Sequence, residues 1–189
     1  MGFKEVVRMD ENIIFLICGE TGSGKSSLAD YICDYYSMRQ VISYTTRPQR
    51  NEDDTGHIFI TPEEMDDFTD IVASTKIGDY YYFATKEQLL ESNIYVIDYD
   101  GIKNLKQQDL EGIRFVTIYI NLDRKTREER AVKDRGDDPM VFHDRSIAEY
   151  SQFMEMRRNG DFDYSICNKD FKKAAAVLTR IIAVEIVGE

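Results

Sequence analysis

The sequence predicts an α/β fold of three layers, with a central parallel sheet between helices. Short runs of apolar, β-branched residues recur along the chain, as in strands that a parallel sheet buries on both faces. Stretches with helical spacing alternate with these runs, and the first run meets the first helix through a glycine-rich turn. Two polar segments interrupt the alternation, and we expect them to form inserts outside the core layers.

The core elements follow from this alternation of apolar runs and helical spacing. The predicted core strands are residues 13–18, 94–98, 115–120 and 164–167. The predicted core helices are residues 25–36, 142–157 and 171–187. The whole chain, 1–189, is then a single domain whose core segments are residues 12–40, 93–122 and 146–189.

The first insert, residues 41–92, is predicted to be a small α+β unit. An antiparallel hairpin should turn at Gly78, where Gly-Asp separates two β-rich runs. Thr61 and Thr85 each precede Glu or Gln by three residues, the capping-box pattern that begins a helix. The predicted strands of this insert are residues 41–46, 71–75 and 80–84.

The second insert, residues 123–145, is predicted to be a charged helical hairpin. The predicted helix over residues 123–135 has almost no apolar face, which favours a solvated or moving lid over a core element. We expect Arg124 and Arg127 on its solvated face, and Asp137 in a solvated turn between the lid helices.

Composition and charge exclude several classes of binding partner. With 24 basic and 35 acidic side chains, the net charge of −11 argues against a nucleic-acid polymer or an anionic membrane as partner. The longest apolar run is far shorter than the about 20 residues of a membrane span. The 3 cysteines lie far apart and favour free thiols, so we expect a cytoplasmic protein, monomeric or homodimeric, that binds small molecules.

A phosphate-binding loop is indicated by residues 19–26, GETGSGKS, which fit G-x-x-x-x-G-K-[ST]. Glycines let consecutive backbone N–H groups point at phosphate oxygens, and the helix beginning near Lys25 adds its positive end. Lys25 is predicted to reach the β- and γ-phosphates of ATP, and the Ser26 hydroxyl to ligate Mg²⁺. The predicted ATP-binding residues in this segment are Gly19, Thr21, Gly22, Ser23, Gly24, Lys25, Ser26 and Ser27.

A second phosphate site is indicated by residues 43–50, SYTTRPQR, which follow the second predicted strand. Arg47 and Arg50 are three apart on a loop and can converge on one dianion. Taken alone, such a segment is more often a solvated charged turn.

Five segments in this order resemble the guanylate kinase family, and the resemblance covers nearly the whole chain. They are the phosphate loop, the S-x-T-T-R-x-x-R run at 43–50, the tyrosine-bearing hairpin at 78–81, the strand end at 98–101, and the arginine-rich lid at 130–145. The resemblance implies ATP- and Mg²⁺-dependent transfer of a phosphoryl group to a nucleoside monophosphate, most directly GMP or dGMP.

The resemblance also implies roles at the acceptor. Arg47 and Arg50 would grip the acceptor phosphate, with Tyr81 as a further ligand. His57 stands where the family has a phosphate-contacting tyrosine, and Ser43 would lie near the acceptor base.

On the donor and lid side, the resemblance places Asn168 near the adenine of ATP and Asp98 close to the acceptor. Lid arginines would spread over the charge of the transferring phosphate when the lid closes, and we expect large domain motion. The catalytic residues implied are Lys25, Arg130, Arg135 and Arg145.

Two positions depart from the family's guanine-reading pattern. Val72 stands where the family has a glutamate, and Phe83 where it has a small hydroxyl residue. An unpaired guanine N–H costs on the order of 1–3 kcal/mol, so the sequence supports phosphoryl transfer more strongly than it supports guanine as the base. A register slip of one or two residues would bring Asp70 or Thr85 into the role instead.

Three alternatives stay open at this point. The same chemistry could serve another phosphorylated acceptor, which the departures at Val72 and Phe83 favour. A catalytically silent binding module is disfavoured by the intact Lys25, Ser26 and lid arginines. A kinase for an unphosphorylated metabolite would leave Arg47 and Arg50 without a dianion to bind.

Overall fold

The computed structural model describes residues 12–49, 52, 54 and 56–188. Its strands are β1 (Asn12–Cys18), β2 (Tyr44–Thr45), β3 (Ile58–Phe59), β4 (Ile71–Ile77), β5 (Tyr80–Thr85), β6 (Ile94–Val96), β7 (Ile113–Asn121) and β8 (Tyr164–Cys167). Its α-helices are α1 (Lys25–Tyr36), α2 (Lys86–Leu90), α3 (Tyr99–Lys106), α4 (Arg124–Glu129), α5 (Pro139–Asn159) and α6 (Phe171–Val187). A 3-10 turn covers Glu64–Asp67, and a π-helical turn covers Arg130–Asp134.

The core sheet is parallel throughout, in the order β6-β1-β7-β8. Strand β1 pairs with β7 along its whole length, and side chains on its two faces enter two separate hydrophobic clusters. Phe15 and Ile17 pack under α1 and α6, whereas Ile14 and Leu16 pack under α3 and α5. Because both faces are covered, nearly every residue of β1 is apolar, and the predicted three-layer α/β fold is confirmed.

A second sheet, in the order β3-β2-β5-β4, forms the first insert. Its hairpin turns at Gly78, whose φ of 62° is the left-handed conformation that glycine adopts without strain. Thr85 makes the predicted capping box with Gln88 at the start of α2. Thr61 makes the same reciprocal contacts with Glu64, but only a 3-10 turn follows.

Other elements also differ from the sequence prediction. The strand expected at 41–46 is shortened to β2. Helix α3 was not predicted. Asp98, predicted as the last residue of a strand, instead caps this helix by accepting the N–H of Gly101 at 2.6 Å. The single helix expected at 123–135 is instead α4 followed by the π-helical turn.

No helix among the described residues is long and apolar enough to cross a membrane.

Candidate active site

A cleft of about 980 Å³ opens where the carboxyl ends of β1 and β6 meet the insert sheet and the lid. Ligand sites of open α/β sheets lie at this edge, beyond the carboxyl ends of the strands. Residues of the predicted donor, acceptor and lid sites line this single cleft, among them Gly19, Thr21, Gly22, Lys25, Ser26, Ser43, Arg47, His57, Asp98, Arg135 and Arg145.

The phosphate loop runs from β1 into α1 and depends on two glycines in the left-handed region. Gly22 has φ 82°, and a Cβ there would lie 2.5 Å from the carbonyl oxygen of Arg127. Gly24 has φ 81°, and a Cβ there would lie 2.5 Å from Nδ2 of Asn168. The sequence therefore folds tightly here because these positions carry no side chain.

Three side chains from other elements hold the loop in place. Asn168, which follows β8 and is buried, donates from Nδ2 to the carbonyl of Ser23 at 2.8 Å. Arg127 of α4 donates to the carbonyl of Thr21 at 3.0 Å, and Glu149 of α5 accepts the Thr21 N–H at 2.7 Å. The loop is thus fixed before a ligand enters, which lowers the entropic cost of binding.

Lys25 stands in the first turn of α1 and faces the cleft. Burial lowers the pKa of its ammonium below the usual range, and the negative charge of Glu149 opposes that shift. A lysine poised in this way gains electrostatic stabilisation when a polyphosphate arrives, because the added negative charge favours its protonated form.

Arg47, which follows β2, is buried in the wall of the cleft, where Asp54 holds it. Its two terminal nitrogens contact the two carboxylate oxygens of Asp54, at 2.8 and 3.2 Å. Burial alone would lower the pKa of Arg47, but hydrogen bonds to Asp54 and Tyr82 raise it on balance. Its guanidinium also lies 5.2 Å from the ring centroid of Phe59. The two-point contact with Asp54 shows that the terminal nitrogens of Arg47 are oriented to bind two oxygens of one anion, such as a carboxylate or a phosphate.

Ser43 and His57 form a pair on the same wall of the cleft. The Ser43 hydroxyl lies 3.0 Å from Nδ1 of His57, and the His57 ring makes an edge contact with Tyr82 at 5.3 Å. Asp98 lines the same cleft and is hydrogen-bonded to Gly101 and Thr75. Burial raises the pKa of the Asp98 carboxyl, and those two hydrogen bonds oppose the shift.

Two arginines of the lid, Arg130 and Arg135, lie at the beginning and just after the end of the π-helical turn. Arg130 donates to the carbonyl of Lys169 at 3.2 Å, and Arg135 makes a two-point ion pair with Asp137. These arginines are five positions apart, a spacing that an α-helix would place on different faces. The π-helical turn closes a bond from the Arg135 N–H to the Arg130 carbonyl at 3.1 Å, and of these two arginines Arg135 lines the cleft.

A family model described as "Guanylate kinase" matches residues 11–185 of the chain. The chain belongs to the guanylate kinase family. A curated guanylate kinase of Buchnera aphidicola subsp. Acyrthosiphon pisum is 30% identical over 193 residues, covering 94% of this chain and 90% of that protein. One of Mycoplasma pneumoniae is 27% identical over 191 residues, covering 94% of this chain and 78% of that protein.

A solved structure shares the guanylate kinase fold with this chain. The crystal structure of guanylate kinase from Anaplasma phagocytophilum superposes with a TM-score of 0.60, covering 94% of this chain and 88% of that one, at 15% identity. At that identity the likeness supports the fold alone. Together with the family match, it accounts for the predicted resemblance to guanylate kinases over nearly the whole length.

Three residues expected at the acceptor of a guanylate kinase lie away from the cleft in this structure. Val72 is 5% exposed and belongs to the core cluster under α3 and α5. The β4–β5 register shifts between Ile71 and Ala73, and bulges of this kind re-aim side chains. Phe83 is fully buried and stacks on Tyr44 at 5.2 Å.

Tyr81 is the third such residue, and its neighbour Tyr82 lines the cleft. Successive strand residues point to opposite faces, so Tyr82 lines the cleft and bonds Arg47 while the Tyr81 ring lies against Lys76. Ser74 and Thr75 line the cleft in place of Val72. Arg50, the second arginine of the predicted grip, lies outside the described residues.

Contacts at the base of the lid also differ from the sequence prediction. Arg127 was expected on a solvated face but is 7% exposed and bonds the backbone of the phosphate loop. Asp137 binds Arg135, and the adjacent Asp138 caps α5 at the N–H of Met140. Glu149 was overlooked altogether, since a lone glutamate in a charged helix carries no signal of a contact 128 residues away.

The Ser26 hydroxyl, in the first turn of α1 and facing the cleft, fits the role predicted for it toward Mg²⁺. Among the described residues, no group of three or more His, Cys, Asp or Glu side chains could hold a metal ion.

Proposed function

We propose that the protein transfers the γ-phosphoryl group of MgATP to a nucleoside monophosphate, with GMP and dGMP as the expected acceptors. One observation carries the proposal: a single cleft is lined by the phosphate loop with Lys25, by the buried Arg47, and by lid residues Arg135 and Arg145. Lys25, Arg47, Arg135 and Arg145 therefore share one cleft, beside several carboxylates, in a chain whose net charge is −11.

The donor half of the proposal rests on the loop from 19 to 26. Backbone N–H groups of the loop and the amino end of α1 would hold the polyphosphate, and Lys25 would neutralise it. Asn168 lies against this loop, and its role toward the adenine stays a prediction. Magnesium, when bound with ATP, would bridge phosphate oxygens and neutralise their developing charge.

The acceptor half rests on Arg47. A phosphate dianion offers the same paired oxygens that Asp54 now supplies, with twice the charge, so it can replace that carboxylate on the guanidinium. His57 and Tyr82 stand beside Arg47 along the cleft and can donate further hydrogen bonds.

The reaction needs little covalent help from the protein. The acceptor oxygen is an anion near neutral pH, so bringing two anions together in line is the main difficulty. Arg135 and Arg145 would offset the charge of the transferring group as the lid closes, and one such group typically contributes about 10²–10³ in rate. Closure also excludes water, which would otherwise accept the phosphoryl group.

Guanine is the base that the cleft wall supports. Its N–H donors need an acceptor, and the Asp98 carboxylate, bonded to Thr75, lines the cleft together with Ser43. These groups could replace the readers expected at Val72 and Phe83. A different phosphorylated acceptor is the second candidate, favoured by the burial of those two residues.

We include a cytoplasmic location in the proposal. The structure leaves Cys18, Cys33 and Cys167 as free thiols, which is typical of a reducing compartment.

The test is coupled ADP release with MgATP and each of GMP, dGMP, AMP, CMP, UMP and dTMP. A preference for GMP or dGMP of about a hundredfold supports the proposal in full, because a site built to bond a base edge rejects bases that lack it. Equal rates with other bases support the second candidate. ADP release at the blank rate with every acceptor contradicts both and favours a binding module.

A further inference from the structure

Thr21, in the phosphate loop, is bonded to both ends of the lid. Its carbonyl accepts a hydrogen bond from Arg127 of α4, the helix that enters the lid, at 3.0 Å. Its N–H and its hydroxyl donate to the two oxygens of Glu149 of α5, the helix that leaves the lid, both at 2.7 Å. Thr21 is 7% exposed, so these bonds are shielded from water.

The contact between Glu149 and Thr21 fixes geometry more strictly than a single bond would. A carboxylate that accepts two donors from one residue is held in both distance and orientation, and bonds to an ionised group are about twice as strong as neutral ones. The partly buried setting strengthens them further. We call this two-point contact the Glu149 lock.

Arg145 lies one helical turn before Glu149. Residues four apart on an α-helix share a face, and both of these side chains line the cleft. Fixing Glu149 to the phosphate loop therefore fixes the rotation of α5 about its axis. It also fixes the face from which Arg145 projects toward the site of transfer.

We infer that Glu149 is a positioning residue for phosphoryl transfer: the lock holds α5 against the donor loop so that Arg145 reaches the transferring phosphoryl group. The inference rests on the proposed function. It predicts that loss of the lock lowers kcat and leaves the KM for MgATP nearly unchanged, because Arg145 acts on the transition state while the loop still binds the donor.

The kinetic test is a double-mutant cycle of E149A and R145A, with E149Q as the rescue variant. E149A should lower kcat about a hundredfold, as expected for a misplaced reacting group. A glutamine can accept the Thr21 N–H and donate to the Thr21 hydroxyl oxygen, so E149Q should stay within about threefold of wild type. In the R145A background, E149A should cost less than about threefold more, since both changes remove the same contribution.

Two kinetic results would overturn the inference. If the E149A loss is undiminished in the R145A background, Glu149 acts independently of Arg145 and is merely structural. If E149A lowers the KM for MgATP and leaves kcat intact, the carboxylate competes with ATP for the phosphate loop, and no positioning role exists.

A measurement without turnover separates this inference from the proposed function. Backbone amides at 19–24 and 139–149 should exchange hydrogen about tenfold faster or more in substrate-free E149A than in wild type or E149Q, because local opening is no longer opposed by the lock. D144A, which removes an exposed carboxylate from the same helix, should exchange as wild type does. Unchanged exchange in E149A overturns the inference, whereas a wild type inactive with every acceptor overturns the proposed function.

Discussion

Arg47 combines burial with a bidentate carboxylate partner, and at the residue scale it should decide acceptor binding. We expect R47A to raise the KM for the monophosphate about 30-fold or more, because truncating one member of a buried, hydrogen-bonded charge pair costs about 2–5 kcal/mol. The KM for MgATP should change little. Steady-state kinetics with each substrate varied in turn measures both effects.

Arg124 supplies the matched control for R47A. It is an exposed lid arginine whose guanidinium contacts His143 at 3.1 Å. R124A should leave the acceptor KM within about twofold of wild type, as expected for a surface contact. An acceptor KM that R47A leaves unchanged would mean that Arg47 serves only to hold Asp54.

Cys18 makes a residue-scale prediction about pH. Burial raises the pKa of its thiol to about 12 from 9.0, so the folded chain resists ionisation that the unfolded chain undergoes. The contribution of this thiol to the free energy of unfolding is therefore fully present below pH 9. It should be lost as the pH rises toward 12, by about 1.4 kcal/mol per pH unit. Urea unfolding from about pH 8 to about pH 10.5 should show a shallower decline in C18A than in wild type. Equal slopes would contradict the assignment.

At the scale of elements, the phosphate loop depends on space as well as on backbone conformation. G22A adds a Cβ that would lie 2.5 Å from the Arg127 carbonyl at φ 82°, whereas G112A adds one at φ 77° with nothing within 4 Å. Both variants carry the conformational cost of about 1–2 kcal/mol. Only G22A should also raise the KM for MgATP, about tenfold or more, since the loop must shift to relieve the contact.

Thermal unfolding of the two glycine variants measures the cost of backbone strain, which both share. The KM for MgATP measures the effect of the steric clash, which only G22A should show. A G22A enzyme with a wild-type KM for MgATP would contradict the view that the loop is built before ATP arrives.

Elements with a strong local signal could be predicted from the sequence, and those set by partners could not. Strand β1 is apolar from Ile13 onward because helices cover both faces, and Thr85 signals its helix through a glutamine three residues on. The shifted register of β4 depends on how Val72 packs into the core cluster, which local sequence does not encode. The π-helical turn at 130–134 could not be predicted either, because its residue pattern is also compatible with an α-helix and only the backbone hydrogen bonds distinguish the two.

The site divides in the same way. Lys25 and Ser26 follow from a motif whose spacing has a direct physical reason. Tyr82 differs from the expected Tyr81 by one residue, and in a strand one residue exchanges the faces. Glu149 could not be foreseen, because its partner lies in another layer of the fold.

The whole molecule should close around its two substrates. The cleft of about 980 Å³ lies between the core, the insert sheet and the lid, so bringing the lid arginines onto the phosphates requires these parts to approach each other. Small-angle scattering should show a smaller radius of gyration with a bisubstrate analogue than with MgATP alone. An unchanged radius would contradict a closing mechanism.

Following the phosphoryl group shows whether this protein transfers it between two phosphate sites in one cleft. The enzyme is incubated with ATP labelled in its γ-phosphate and with the monophosphate that supports the fastest ADP release. We expect the label to appear in the nucleoside diphosphate, one label for each ADP formed. Label released as inorganic phosphate, or ADP formation that does not depend on the acceptor, would contradict it.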